Sequence, residues 1–409
     1  MKRKFALIFA AVLATGYAMA AEGLYNVGSE AQQSMPLKWS FGVDVTYDDN
    51  VNPGGGTVKD GATSTSPYVG LSFVNMTPQT TWDVYARLGA LYYLDKPTGC
   101  KDIYPQARVG VNLTHRFDER LRLSSRSFLA YELEPNYAYG FATARQSGAY
   151  FFWETDNALG YRWTERMATY TGVTLTGLSY ADVQNQDRFT WALYHQFRYQ
   201  LTPQQTVLTL DYRYSQTTAG GLAADSSDHY ATLGIEHRFS PNTILITRAG
   251  IQIHDVTVGT STSTSNPYLE MALNSRLTEQ FSLRGFVRYS VEPYDTIQQI
   301  GLTYYDFSQR GTLRVGISGD YAITPMLSIQ GGVDYIPSNF NDGRRVSGFG
   351  PVTASGLSED LVNAYIGLSV KFNDNLFGTL TYNYTNSSSD ITAHNYDRNR
   401  ISLGLRYQF

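Results

Sequence analysis

The chain has one cysteine, Cys100, in 409 residues, so no disulfide can form within it. A lone thiol with no accompanying motif reads as an ordinary loop cysteine. Long apolar runs are also missing. After the first twenty residues each run is broken within a few positions by Arg, Asp or Gly, and the mean hydropathy is −0.29. That excludes a bundle of spanning helices, each of which needs roughly 20 apolar residues. It does not exclude a transmembrane β-barrel, whose strands are apolar on one face only. Strong charge of either sign is absent too. The formal net charge is −4, which gives no footprint for nucleic acid or for polybasic docking on a membrane.

What is present begins at the amino terminus. Lys2, Arg3 and Lys4 precede an apolar run from Phe5 to about Gly16, and Ala18-Met19-Ala20 follow. This is the pattern of a secretory signal peptide over residues 1–20. The run is too short for an anchor helix, and no Cys follows the cleavage site, which excludes a lipoprotein signal. The expected mature chain starts at Ala21, with a short periplasmic segment over 21–36 and one domain over 37–409.

That domain reads as a repeated hairpin. Tight polar turns fall at 76–80, 117–120, 163–166, 201–205, 239–243, 277–280, 323–326 and 372–375. They recur about every 40 to 50 residues, a period that demands a repeat explanation. Between them run alternating segments and longer loops rich in Gly, Ser, Thr, Asn and Asp. With one strand before the first hairpin and one after the last, the count is about eighteen strands. Parity is clear in most. Trp39, Phe41, Val43, Val45 and Tyr47 share one face, as do Ile401, Leu403, Leu405, Tyr407 and Phe409. Tyrosine is the most abundant aromatic at 32 residues, and it suits both strands and the lipid–water boundary.

A soluble sandwich or propeller would alternate as well. Three features favour a membrane barrel. Many strands reach the roughly 9–11 residues needed to cross a tilted bilayer. Short and long connections alternate, as periplasmic turns and extracellular loops do. Arginines gather on the polar parity, where a dry core would penalise them and a hydrated lumen would not. The expected fold is therefore all-β: a single closed antiparallel transmembrane barrel of about 18 strands, both termini on the periplasmic side.

The first strand, WSFGVDVTYDDNVN (39–52), together with the regularly spaced TP and TE turns, resembles the putative β-barrel porin family 2 of Gram-negative outer membranes. The resemblance runs over nearly all of the mature chain. It implies passive diffusion of small polar solutes and supplies no catalytic residue. The terminal strand ending at Phe409 is similar to the signal read by the barrel-assembly machinery. Lipid, lipopolysaccharide and small solutes are the partners implied, with homo-oligomers open. No enzyme activity, cofactor or metal is expected.

Candidate functional residues divide by depth. Arg87, Arg126, Arg213, Arg248, Arg288 and Arg314 should line the lumen near mid-depth and set a weak anion preference, or else form cross-strand salt bridges. Arg116, Arg162, Arg198, Arg238, Arg276, Lys371 and Arg406 each precede an apolar, mostly aromatic, residue beside a tight turn. They should form a basic ring at the periplasmic mouth, or a rim paired with turn carboxylates. Tyr137, Tyr139, Phe141 and Arg145 sit in the third long loop, which in many porins narrows the channel. The longest loop, about 337–359, competes for that role. A lumen filled by loops would instead suit a structural or polysaccharide-export barrel. The outward His115, His195 and His237 are the only hook for an enzyme, and they lack a Ser-centred motif. Asp48, Asp49 and Asn50 lack the spacing of a calcium loop and read as a solvated strand end.

Overall fold

The computed structural model describes residues 35–53, 59–133, 149–181, 187–203, 205–258, 260–293 and 296–409. The expected signal peptide and most of the segment after it lie outside these residues. No described helix is long and apolar enough to cross a membrane, which says nothing of strands.

Twenty strands form one sheet. They are β1 (Met35–Asp48), β2 (Ala62–Met76), β3 (Thr80–Tyr93), β4 (Ile103–Arg116), β5 (Leu121–Glu132), β6 (Tyr150–Arg162), β7 (Met167–Tyr180), β8 (Arg188–Thr202), β9 (Thr206–Ala219), β10 (Asp225–Ser240), β11 (Thr243–Val258), β12 (Thr260–Arg276), β13 (Phe281–Val291), β14 (Ile297–Ile300), β15 (Thr303–Thr324), β16 (Leu327–Ser347), β17 (Thr353–Ala354), β18 (Leu357–Lys371), β19 (Leu376–Ser389) and β20 (Tyr396–Gln408). Two of them, β14 and β17, pair only with β15 and β16 respectively. The other eighteen form a closed antiparallel ring, each bonded to two neighbours, with β1 closing on β20. Closure leaves no open edge, so the backbone satisfies its own hydrogen bonds within lipid.

The seam is tied at both ends. Near the periplasm, Trp39 and Phe409 exchange two backbone hydrogen bonds of 3.0 Å, and the Phe41 and Phe409 rings stack at 5.8 Å. At the extracellular end, the Arg398 Nε donates to both Asp48 oxygens at 3.0 and 2.9 Å, with both side chains buried. Asn399 donates to Asp49 from its backbone and its amide, and Lys59 adds an ion pair at 3.3 Å. The Asp48–Asp49 stretch is therefore a paired latch, not the solvated end its spacing suggested. Among the described residues, no group of three His, Cys, Asp or Glu is placed to hold a metal ion.

All eight tight turns lie where the repeat puts them, and a shared device explains the repeat. The first turn residue is Thr, Ser, Asp or Asn, and in seven turns its side-chain oxygen accepts backbone N–H groups one turn on. Thr77, Asp118, Thr164, Ser240, Thr278, Thr324 and Asn373 do this. The Asp118 carboxyl accepts from Leu121 and Arg120, and those bonds hold its pKa below the usual value. The residue before most of these caps points outward. Phe117, Trp163, Phe239 and Phe372 are exposed on the outer face. They form the periplasmic girdle, and Tyr47, Tyr92, Phe151 and Phe189 mark the opposite border.

The extracellular ends differ from expectation. Strands β15 and β16 are 22 and 21 residues long, so residues 337–347 are a β-ribbon and not part of a loop. Strand β12 begins as early as Thr260, because the Thr-Ser alternation of 260–265 pairs with β11. These ends rise beyond the lipid, where neither parity needs to be apolar.

Candidate functional site: the lumen and its narrowing

Inward positions change character along the barrel. On β1, Lys38, Ser40, Gly42, Asp44 and Thr46 are half-buried, whereas Asp48 at the extracellular end is buried. On β11, Ile246, Arg248, Gln252 and His254 are all buried. The inner wall is thus half-open beside β1 and packed along β11.

The packing material is residues 291–293 and 296–308. Strand β13 stops at Val291, the shortest of the eighteen staves, and Pro293 then removes a ladder donor. From there the chain makes bonds to strands it does not neighbour in the ring. The Gln252 side chain both donates to and accepts from the Val291 backbone, at 2.9 and 2.8 Å. Arg188 of β8 donates to the Pro293 carbonyl at 3.1 Å and to the Thr296 hydroxyl at 3.5 Å. His254 holds Asp228 through Nδ1 at 2.7 Å and the Ser308 carbonyl through Nε2 at 3.0 Å. The Ala224 N–H donates to Asp306 at 2.8 Å. These contacts place the segment across the inside of the extracellular end. Tyr305, Phe307 and Phe340 pack behind it as a small apolar core.

At its root, Glu292 binds two arginines. Arg314 grips it through Nε at 2.8 Å and Nη2 at 2.9 Å, and Arg288 bonds it at 3.0 Å. Arg288 and Arg314 face each other in register across β13 and β15. Two like charges on adjacent strands repel, and the shared carboxylate offsets this.

The six mid-depth arginines all point inward, and five lie within 4 Å of a carboxylate. Arg248 meets Glu270 at 3.1 Å, Arg126 lies 3.9 Å from Glu154, and Arg87 meets Asp44 at 2.5 Å. Arg213 stands in register between Tyr194 and Tyr230. Their exposure separates them. The Arg87 side chain is 47% exposed, against 3% for Arg314 and 5% for Arg248. Arg314 and Arg248 belong to the packed wall, while Arg87 meets water.

The periplasmic ring is mixed. Arg116 and Arg162 are exposed. Arg198 is forked onto Glu236 at 2.7 and 2.5 Å, Arg276 donates to the Glu279 carbonyl at 3.1 Å, and Lys371 meets Asp374 at 2.7 Å. Arg406 lies 5.0 Å over the Phe377 ring, and Arg238 is half-buried. The turn carboxylates are thus only part of the pairing.

Tyr137, Tyr139, Phe141 and Arg145 fall outside the described residues. Arg344 and Arg345 lie on β16, and Arg345 bonds the Gly350 carbonyl. The Nδ1 atoms of His115, His195 and His237 each bond a cross-strand threonine, Thr80, Thr171 and Thr206, at 2.8, 2.8 and 3.0 Å. His115 and His237 also meet Phe117 and Phe239 edge to face. This is a girdle motif. The residues missed from sequence are Glu292, Arg188, Gln252 and His254. The one signal was Glu292-Pro293, a charge and a strand breaker set directly after an alternating run.

A closed eighteen-stave barrel with an apolar outside and a charged inside invites comparison with porins. Residues 308–409 match the family model described as putative beta-barrel porin 2. The barrel and this match place the chain in the outer membrane of a Gram-negative bacterium. No curated protein matches it. Among solved structures, Pseudomonas aeruginosa OpdK with vanillate is 14% identical, with 91% of this chain and 98% of that chain covered and a TM-score of 0.45. Acinetobacter baumannii OccAB4 is 13% identical, covering 92% and 99%, with a TM-score of 0.43. A BenF-like porin from Pseudomonas fluorescens Pf-5 is 12% identical, covering 91% and 99%, with a TM-score of 0.48.

Proposed function

We propose that this porin-like barrel is a passive diffusion channel for small polar solutes, with no chemical step and a weak preference for anions. The observation that carries the reading is the graded inner wall. Its charged residues are half-exposed beside β1, as at Arg87 and Asp44, and packed on β11 and β15, as at Arg248 and Arg314. A dry plug along the whole length would have buried them all, at a desolvation cost that mixed charges do not recover. Inward arginines with excess positive charge raise the local concentration of anions.

A second reading is a structural or polysaccharide-export barrel whose lumen is filled. The buried contacts of residues 291–293 and 296–308 favour it. The two separate in a planar bilayer under a KCl gradient. A diffusion channel gives stable conductance steps and a reversal potential displaced toward chloride. Absent or rare, flickering steps would support the filled barrel instead. The signal over 1–20, assembly through the strand ending at Phe409 and any homo-oligomer belong to the same proposal.

A further inference from the structure

The half-exposed charges along the inner face of the seam form a cluster with unequal signs. Arg87 bonds Asp44 at 2.5 Å and stacks 3.6 Å over the Tyr68 ring. Tyr68 lies flat across Gly42, where a Cβ would fall inside its ring, so only glycine leaves that berth open. On the other side of Gly42 in register stands Arg406. Its guanidinium is close enough to Arg87 and Asp44 to feel both charges, and its Nε is buried with no hydrogen-bond partner. Lys38 lies four residues before Gly42 on the same strand face. Lys371 is nearby but is held by Asp374. Three cations and one carboxylate therefore stand on this inner face, with Lys38 two positions before Ser40 and Arg406 in register with Gly42.

We infer that Lys38, Arg87 and Arg406 form a binding site for a small dianionic oxyanion, of which phosphate or a phosphate-bearing solute is the type. The excess of two positive charges matches a phosphate near neutral pH. Guanidinium forks match its oxygens in pairs, and the ammonium adds a point charge. The site opens on the lumen, so its ligand is a solute and not a lipid headgroup. This deepens the proposed anion preference and rests on an accessible lumen.

The test is calorimetric titration of the purified barrel, in a phosphate-free detergent, with inorganic phosphate at constant ionic strength set by KCl. The expected result is saturable binding that weakens about tenfold in Arg406→Gln and in Lys38→Gln. Arg166→Gln, which removes the same charge from an exposed turn at the same end, should leave binding unchanged. Because Arg406 lies in the closing strand, Lys38→Gln keeps the test valid if Arg406→Gln fails to assemble. No saturable binding, or equal weakening by Arg166→Gln, would overturn the site. Binding is read without conduction, so a site that binds in a barrel that does not conduct would fault the diffusion reading alone.

Discussion

At the residue scale, Asp48 and Arg398 bear the heaviest load. They are 350 positions apart, buried, and joined at the last pairing of the ring. Removing one partner leaves the other charge buried and unpaired, which costs roughly 3–5 kcal/mol. Asp48→Asn is therefore expected to lower the denaturation midpoint of the folded barrel in detergent, followed by its shift in gel mobility on heating. Asp48→Leu combined with Arg398→Met should recover most of the loss, because apolar replacements of a buried pair are often neutral. Nothing in the sequence joins these positions. Asp48 read as a solvated strand end because closure, not local pattern, supplies its partner.

At the scale of elements, the hairpin is the unit. Its periplasmic turn was legible because one side-chain oxygen does the same work in seven turns. Thr278 accepts from both Gln280 and Phe281, at 3.2 and 2.9 Å. Thr278→Val should cost about 1 kcal/mol. The expected result is a modest fall in midpoint with an unchanged barrel, seen by heat-dependent mobility and circular dichroism. A fall as large as that of Asp48→Asn would mean that the turn directs register as well as capping it. The extracellular half was less legible for a physical reason. Strands such as β12 and β16 rise above the lipid there, and with no apolar face to keep, a Thr-Ser ladder and a loop look the same.

At the scale of the whole molecule, periodicity was enough to read strand number, closure and the inward parity of the arginines. How the lumen is divided was not readable. Whether an inward arginine meets water or a carboxylate depends on a segment that leaves the wall, and only Glu292-Pro293 hinted at that departure. We propose a water-filled barrel narrowed at its extracellular end by residues 291–293 and 296–308. The test is the single-channel conductance of a variant in which a short Gly-rich turn joins Glu292 to Arg310, whose backbones are bonded at 3.0 Å, so that Glu292 still bridges Arg288 and Arg314. Steps are expected in the unmodified barrel and distinctly larger steps in the variant, since the narrowing is gone and the ring is kept. Equal steps in the two, or none in either, would contradict it.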